Sequence, residues 1–231
     1  MATFVLVHGA WHGGWCWRKI VPLLESAGHR VDALDLPGHG DNPAPVSEMT
    51  LDANARLVAD RVEAAGEPVV LVGHSMGGIS ITQAAELVPE RIATLVYVTA
   101  FLPGDGQSLV QLADGDPSAL VQPNLVVDEA AGSCVIDEQA RQAVFFGECS
   151  EEDASWAVAQ LVPESLAAVA APVRITEECV GAVARVYIEC ERDRAISIAK
   201  QRQMWADRPC AQVFTLDADH SPFLSRPREL A

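Results

Sequence analysis

The sequence predicts a domain of the α/β class: a doubly wound, mostly parallel sheet with an inserted, largely helical cap. Three observations point there. Apolar strand-like runs at 4–7, 69–72 and 92–99 alternate with segments of helical spacing. Strands buried on both faces need such runs, and parallel pairing needs a crossover between them. The rhythm breaks between residues 101 and 179, where acids and prolines gather and no buried-type strand is evident. It resumes with strands at 184–188 and 213–216. Structureless loops of that length are uncommon inside a compact domain. The expected organisation is therefore a core of residues 1–100 and 180–231, with a cap of residues 101–179 inserted in it.

Each element has a local reason. Residues 17–27 read as one helix, with Ile20, Leu23 and Leu24 on one face and Gly28 ending it. Residues 31–34 form a second strand, followed by a turn-rich stretch through Pro37, Gly38, Gly40 and Pro43. Thr50 is placed as an N-cap, and Leu51, Ala55, Val58 and Val62 recur at helical spacing after it. The 69–72 strand runs into a helix that follows Ser75 and stops near Pro89. A helix around 196–206 separates the last two strands. In the cap, Ser150-Glu151-Glu152-Asp153 has capping-box spacing ahead of Trp156, Val158 and Leu161.

Composition narrows the function. The 231 residues suit one domain with a good-sized core. No run of about 18 apolar residues exists to span a membrane. The first residues lack a basic n-region and read as a strand rather than a leader. Six cysteines without C-x-x-C spacing read as reduced thiols of a cytoplasmic protein. A formal charge of −16 argues against nucleic acid and anionic membranes as partners. Metal-type clustering, G-x-G-x-x-G and a Walker lysine are not found, so no metal, nucleotide or other cofactor is expected.

The chemistry centres on Gly73-His74-Ser75-Met76-Gly77, a G-x-S-x-G pentapeptide between a strand and a helix. That context makes it a candidate nucleophile elbow, with Ser75 held in a strained turn clear of its neighbours. A serine needs a base, and the base an orienting acid. In doubly wound hydrolytic folds the chain order is Ser, acid, His. His220 is the one histidine beyond the cap, on the loop after the last strand. Asp193, after the 184–188 strand, is the candidate acid, with Glu191 as its rival. Asp217 and Asp219 sit too near His220 in sequence to reach behind its ring. An oxyanion hole needs two backbone N–H donors. Met76 supplies one, and the glycine-rich loop after the first strand supplies the other, with Ala10 chosen. His8 and His12 read as loop-structuring residues and Trp11 as a wall of the acyl pocket. Trp15 and Trp17 read as packing residues.

His8-Gly9-Ala10-Trp11-His12-Gly13-Gly14-Trp15, Asp35-Leu36-Pro37-Gly38-His39-Gly40, Gly73-His74-Ser75-Met76-Gly77-Gly78, Tyr97-Val98-Thr99-Ala100-Phe101-Leu102-Pro103-Gly104 and Asp219-His220 together resemble the α/β-hydrolases of the plant methylesterase and hydroxynitrile lyase family and its bacterial esterase relatives. The resemblance implies an α/β-hydrolase fold without a cofactor. It places the nucleophile on Ser75, the acid on Asp193, the base on His220 and the oxyanion donors on Ala10 and Met76, with Gly9 and Trp11 at the substrate. The lyases carry threonine at the position of Gly9 and lysine at that of Ser221. Ester hydrolysis is therefore expected, on a small to medium, partly hydrophobic ester. A lyase or C–C hydrolase on the same scaffold, and a ligand-binding receptor, are the alternatives. The expected partner is a small-molecule ester, with a homodimer as the candidate assembly.

Overall fold

The computed structural model describes residues 1–231. The chain opens with β1 (Thr3–Val7), then a 3₁₀ helix (Gly14–Lys19) and α1 (Val21–Ser26). One helix was expected over 17–27, and Pro22 explains the break. It has no N–H to donate back and its ring crowds the preceding turn, so it is tolerated only in the first turn of a new helix. Next come β2 (Arg30–Leu34) and α2 (Leu51–Ala64). The Thr50 hydroxyl caps α2 by accepting the Ala53 N–H at 3.1 Å, a contact worth about 1 kcal/mol. Then follow β3 (Val69–His74), α3 (Gly77–Leu87) and β4 (Ile92–Val98).

The 101–179 segment holds α4 (Leu109–Ala113), β5 (Leu125–Asp128), β6 (Ser133–Ile136), α5 (Arg141–Phe145), α6 (Glu151–Val158), β7 (Glu164–Ser165) and α7 (Leu166–Ala170). Helices supply most of its regular structure, but β5, β6 and β7 form a small antiparallel sheet. This corrects the expectation of no buried-type strand, since Ser133, Cys134 and Ile136 are buried. Four residues are too few for a periodic signal, and β6 is buried by tertiary packing. The Ser150 hydroxyl caps α6 through the Asp153 N–H at 3.2 Å. The Asp153 carboxylate instead holds Arg18 and Lys19, each at 2.6 Å, and so ties this segment to the 3₁₀ helix.

The chain ends with β8 (Arg185–Cys190), α8 (Ile198–Asp207), β9 (Gln212–Leu216), α9 (Pro222–Ser225) and α10 (Pro227–Leu230). The six-stranded sheet is parallel throughout, in the order β2-β1-β3-β4-β8-β9. Alternate residues of β1 feed two cores: Val5 and Val7 pack with α2 and α3, and Leu6 packs with Trp17, Leu24 and Phe223. β9 is an open edge whose Val213 and Phe214 are exposed. Strand order reverses between β1 and β3, and such a switch point opens a crevice at the carboxyl ends of the strands.

Candidate active site

The crevice is built where β1 and β3 end. Ser75 follows β3 with φ +52°, in the left-handed region that disfavours a side chain. Two glycines make room for that turn. A Cβ on Gly73 would lie 2.7 Å from the Gly77 carbonyl, and one on Gly77 would lie 2.7 Å from the carbonyls of Val7 and His8. Trp11 after β1 (φ +63°) and Thr99 after β4 (φ +37°) are the other non-glycine residues with left-handed backbone. All three sit at the carboxyl edge, and strain of this kind concentrates at functional sites. The backbone N–H groups of Ala10 and Met76 donate to nothing within the protein, although both residues are buried.

Asp193 and His220 meet across the ends of β8 and β9. The His220 Nδ1–H donates to Asp193 Oδ2 at 2.7 Å, and both side chains are almost wholly buried. That bond leaves Nε2 of the ring as the free acceptor. The other carboxylate oxygen accepts the Ala195 and Ile196 N–H groups at 2.6 and 2.9 Å. Ser75 and His220 line one cleft, but no hydrogen bond joins their side chains in this structure. His74 donates from Nε2 to the His220 carbonyl at 2.8 Å, which clasps the histidine loop to the elbow.

The rival acids lie elsewhere. Glu191 is half exposed, 3.8 Å from Arg202. Asp217 points outward in a bidentate pair with Arg192. Asp219 is buried and accepts from Glu148 N (2.8 Å), Ser221 N (3.1 Å) and Ser225 Oγ (2.7 Å), so it anchors the loop instead of facing the ring.

Residues 4–231 match the model of the alpha/beta hydrolase family. The chain belongs to that family. It is 32% identical to methylesterase 9 of Arabidopsis thaliana, across 100% of this chain and 95% of the relative. It is also 32% identical to the alpha-hydroxynitrile lyase of the same plant, across 98% and 93%. The crystal structure of a pyrethroid hydrolase from Sphingobium faniae JZ-2 superposes with a TM-score of 0.90 at 30% identity, covering 99% of this chain and 94% of that one. The fold class and the family resemblance read from the motifs are thus borne out.

The cleft of this alpha/beta hydrolase is narrow, with a cavity volume of about 50 Å³. Its walls are mainly apolar and include Ala10, Trp11, Phe101, Phe145 and Val169, with Asp116 and Lys200 as charged members. Trp11 is fixed there by its indole N–H, which donates to the Cys134 carbonyl at 3.0 Å. Gly9 is not among the lining residues. It packs behind Ser75, where a Cβ would come 2.7 Å from Ser75 Cβ and 3.0 Å from His74 Nδ1. No group of three or more His, Cys, Asp or Glu is arranged to hold a metal ion.

Three further histidines support the site from within. His8 donates from Nδ1 to the Gly9 carbonyl at 2.8 Å and accepts the Leu36 N–H at 3.1 Å on Nε2. His12 donates to the Ala10 carbonyl at 2.8 Å. Burial, then the neighbouring rings, push His8 and His74 well below the usual histidine range. Burial pushes His12 down to about 3. An unfolded histidine titrates near 6.5, so as pH falls below that value the unfolded chain binds protons that the folded one refuses. Stability should therefore fall with acidification by about 1.4 kcal/mol per pH unit for each of the three. Urea unfolding between pH 7 and 5 should show this slope, and His12→Gln should flatten it by about one proton. An unchanged slope would contradict a neutral, buried His12.

His39 runs the other way. Burial alone lowers it, but the hydrogen bond and charge of Glu164, with the Pro37 carbonyl and Asp35, more than offset this and raise it. His39 Nε2 lies 3.2 Å from a Glu164 carboxylate oxygen, and both side chains are buried. Its contribution is present below about pH 6.5 and fades as pH rises through the folded value.

Thr99 was missed from sequence. Its hydroxyl donates to Asp193 Oδ2, the same oxygen that His220 holds. A threonine closing an apolar strand carries no pattern, and only the 94-residue contact to Asp193 gives it meaning.

Proposed function

We propose that the protein is a serine carboxylic ester hydrolase working through Ser75, His220 and Asp193 and a covalent acyl-enzyme. That it is a hydrolase of the carboxylesterase type follows from the family and from relatives named as methylesterases. The observation that carries the finer reading is the Asp193–His220 hydrogen bond, formed in the cleft that the strained Ser75 lines. In this mechanism His220 Nε2 takes the Ser75 proton as Oγ attacks the ester carbonyl. The unpartnered Ala10 and Met76 N–H groups hold the oxyanion. The C–O bond to the alcohol breaks, and His220 returns the proton to the leaving oxygen. Water, deprotonated by the same ring, then attacks the acyl carbon, and the carboxylic acid leaves as Ser75 regains its proton. Serine–histidine contacts are often loose without substrate and tighten once it binds.

The 101–179 segment acts as a cap in this proposal, since Phe145 and Val169 supply walls of the apolar cleft. A partly hydrophobic ester of small to medium size suits those walls. The lyase alternative fits poorly, because Ser221 stands where the lyases place a lysine and a side chain at Gly9 would press on Ser75. Cytoplasmic residence belongs to the same proposal, supported by six unpaired thiols. A homodimer also belongs to it and is read directly by light scattering.

The deciding experiment is steady turnover of a series of neutral esters by the purified protein, with product analysis and with activity repeated after exhaustive chelation. Acid and alcohol in equal amounts, unaffected by chelation, are the expected result. Binding without turnover would favour the receptor. Activity lost on chelation and restored by Zn²⁺ would overturn the serine mechanism.

A further inference from the structure

We propose that Thr99 is a positioning residue for this reaction: its hydroxyl fixes the Asp193 carboxylate and shares with the His220 ring the oxygen that both contact. The inference rests on the reading of Asp193 and His220 as acid and base.

The geometry makes Asp193 a four-donor carboxylate. One oxygen receives the Ala195 and Ile196 amides, and the other receives the Thr99 hydroxyl and the His220 Nδ1–H. The two amides belong to the same loop and set where the carboxylate sits. Thr99 holds the second oxygen from the end of β4, where its own N–H is bonded to the Ile188 carbonyl at 2.8 Å and its side chain is fully buried. The backbone there is left-handed, an unfavourable state for a β-branched residue. That state aims the hydroxyl at Asp193, and the surrounding sheet sustains it.

The hydroxyl also divides the charge of that oxygen. When the ring becomes protonated during the reaction, it competes with Thr99 for the same lone-pair region. Without the hydroxyl the protonated ring would have the oxygen to itself. The charged ring would then be more strongly favoured than in the native protein. Other titratable groups face this pair from every side. His74 on β3 lies 4.6 Å from the His220 ring, and His12 approaches from the loop after β1. Burial disfavours the charged form of both. Tyr187 and Cys190 on β8 are raised by burial and by Asp193, so they stay protonated. Cys149 in the inserted segment is likewise raised by burial and by Asp219. Asp219 is held by four donors, the Glu148 and Ser221 amides, the Ser225 hydroxyl and the Cys149 thiol. Glu148 and Asp217 are paired with Arg192, and Asp116 and Lys200 line the far wall of the cleft.

The test uses Thr99→Val, which keeps the shape and removes the hydroxyl, and Thr99→Ser, which keeps the hydroxyl. Thr99→Gly removes the hydroxyl and relieves the backbone, so a folded hydroxyl-free protein is available if the valine variant fails to fold. The hydroxyl-free variants should lose about tenfold in kcat with KM little changed, as a lost hydrogen bond to a charged group implies. The acid limb of kcat/KM should move to higher pH, by about half a unit. The serine variant should restore both. The His220 Nδ1–H resonance, followed by NMR in the Ser75→Ala background, should shift in the hydroxyl-free variants. That signal needs no turnover, so it separates this inference from the proposed function. A folded hydroxyl-free variant with an unmoved acid limb and an unmoved resonance would overturn the role of Thr99. Retained turnover in Ser75→Ala alone would overturn the serine mechanism instead.

Discussion

Replacing Ser75 with alanine should lower esterase kcat by about 10³-fold or more and leave the fold intact. The size follows from the way a nucleophile, base and acid act as a unit. Without the hydroxyl there is no acyl-enzyme, and only oxyanion binding and substrate positioning remain. The fold should survive because the elbow is held by backbone. The Ser75 carbonyl accepts the Gly78 and Phe101 N–H groups at 3.0 and 3.1 Å, and alanine keeps both bonds. A fluorophosphonate probe should label Ser75 in the wild type and nothing in the variant. Labelling at another serine, or an active alanine protein, would sink the assignment.

Asp193→Asn should be nearly as damaging, with kcat lower by roughly 10²–10⁴-fold. The hydrogen-bond pattern explains why a change of one atom matters. One carboxylate oxygen accepts two amide N–H groups, so the asparagine oxygen will stay on that side. The NH₂ group must then face the position now occupied by the His220 Nδ1–H. Two donors cannot share that line, so the ring is driven to the tautomer with its proton on Nε2. That nitrogen can no longer take a proton from serine. Glu191→Gln provides the control and should be close to neutral, since Glu191 is half exposed and only loosely paired. Reversed behaviour of the two variants would make Glu191 the orienting acid.

The fold was largely legible because parallel strands buried on both faces leave long apolar runs, and β1, β3 and β4 have them. The candidate site was legible where chemistry depends on chain order. The elbow around Ser75, the late position of His220 and the loop bearing Asp193 all follow from residue types near strand ends. Legibility failed where meaning depends on tertiary contact. β6 is four residues long and is buried by tertiary packing. Pro22 divides a helix that periodicity alone reads as continuous. Gly9 stands beside the pocket residues in sequence but packs behind Ser75. Thr99 closes a strand without pattern, and its partner is 94 residues away.

The open β9 edge has a colloidal consequence. Its unpaired peptide groups, together with exposed Val213 and Phe214, form a template onto which another chain could add a strand. The strand itself, Gln212–Leu216, carries no lysine, proline or other gatekeeper. The long-range repulsion of a molecule with a formal charge of −16 opposes such edge-to-edge addition. That barrier shrinks as pH approaches the isoelectric point near 4.6 and as added salt shortens the screening length. Shelf life in concentrated solution should then depend on buffer choice, through the strand that leads into the His220 loop.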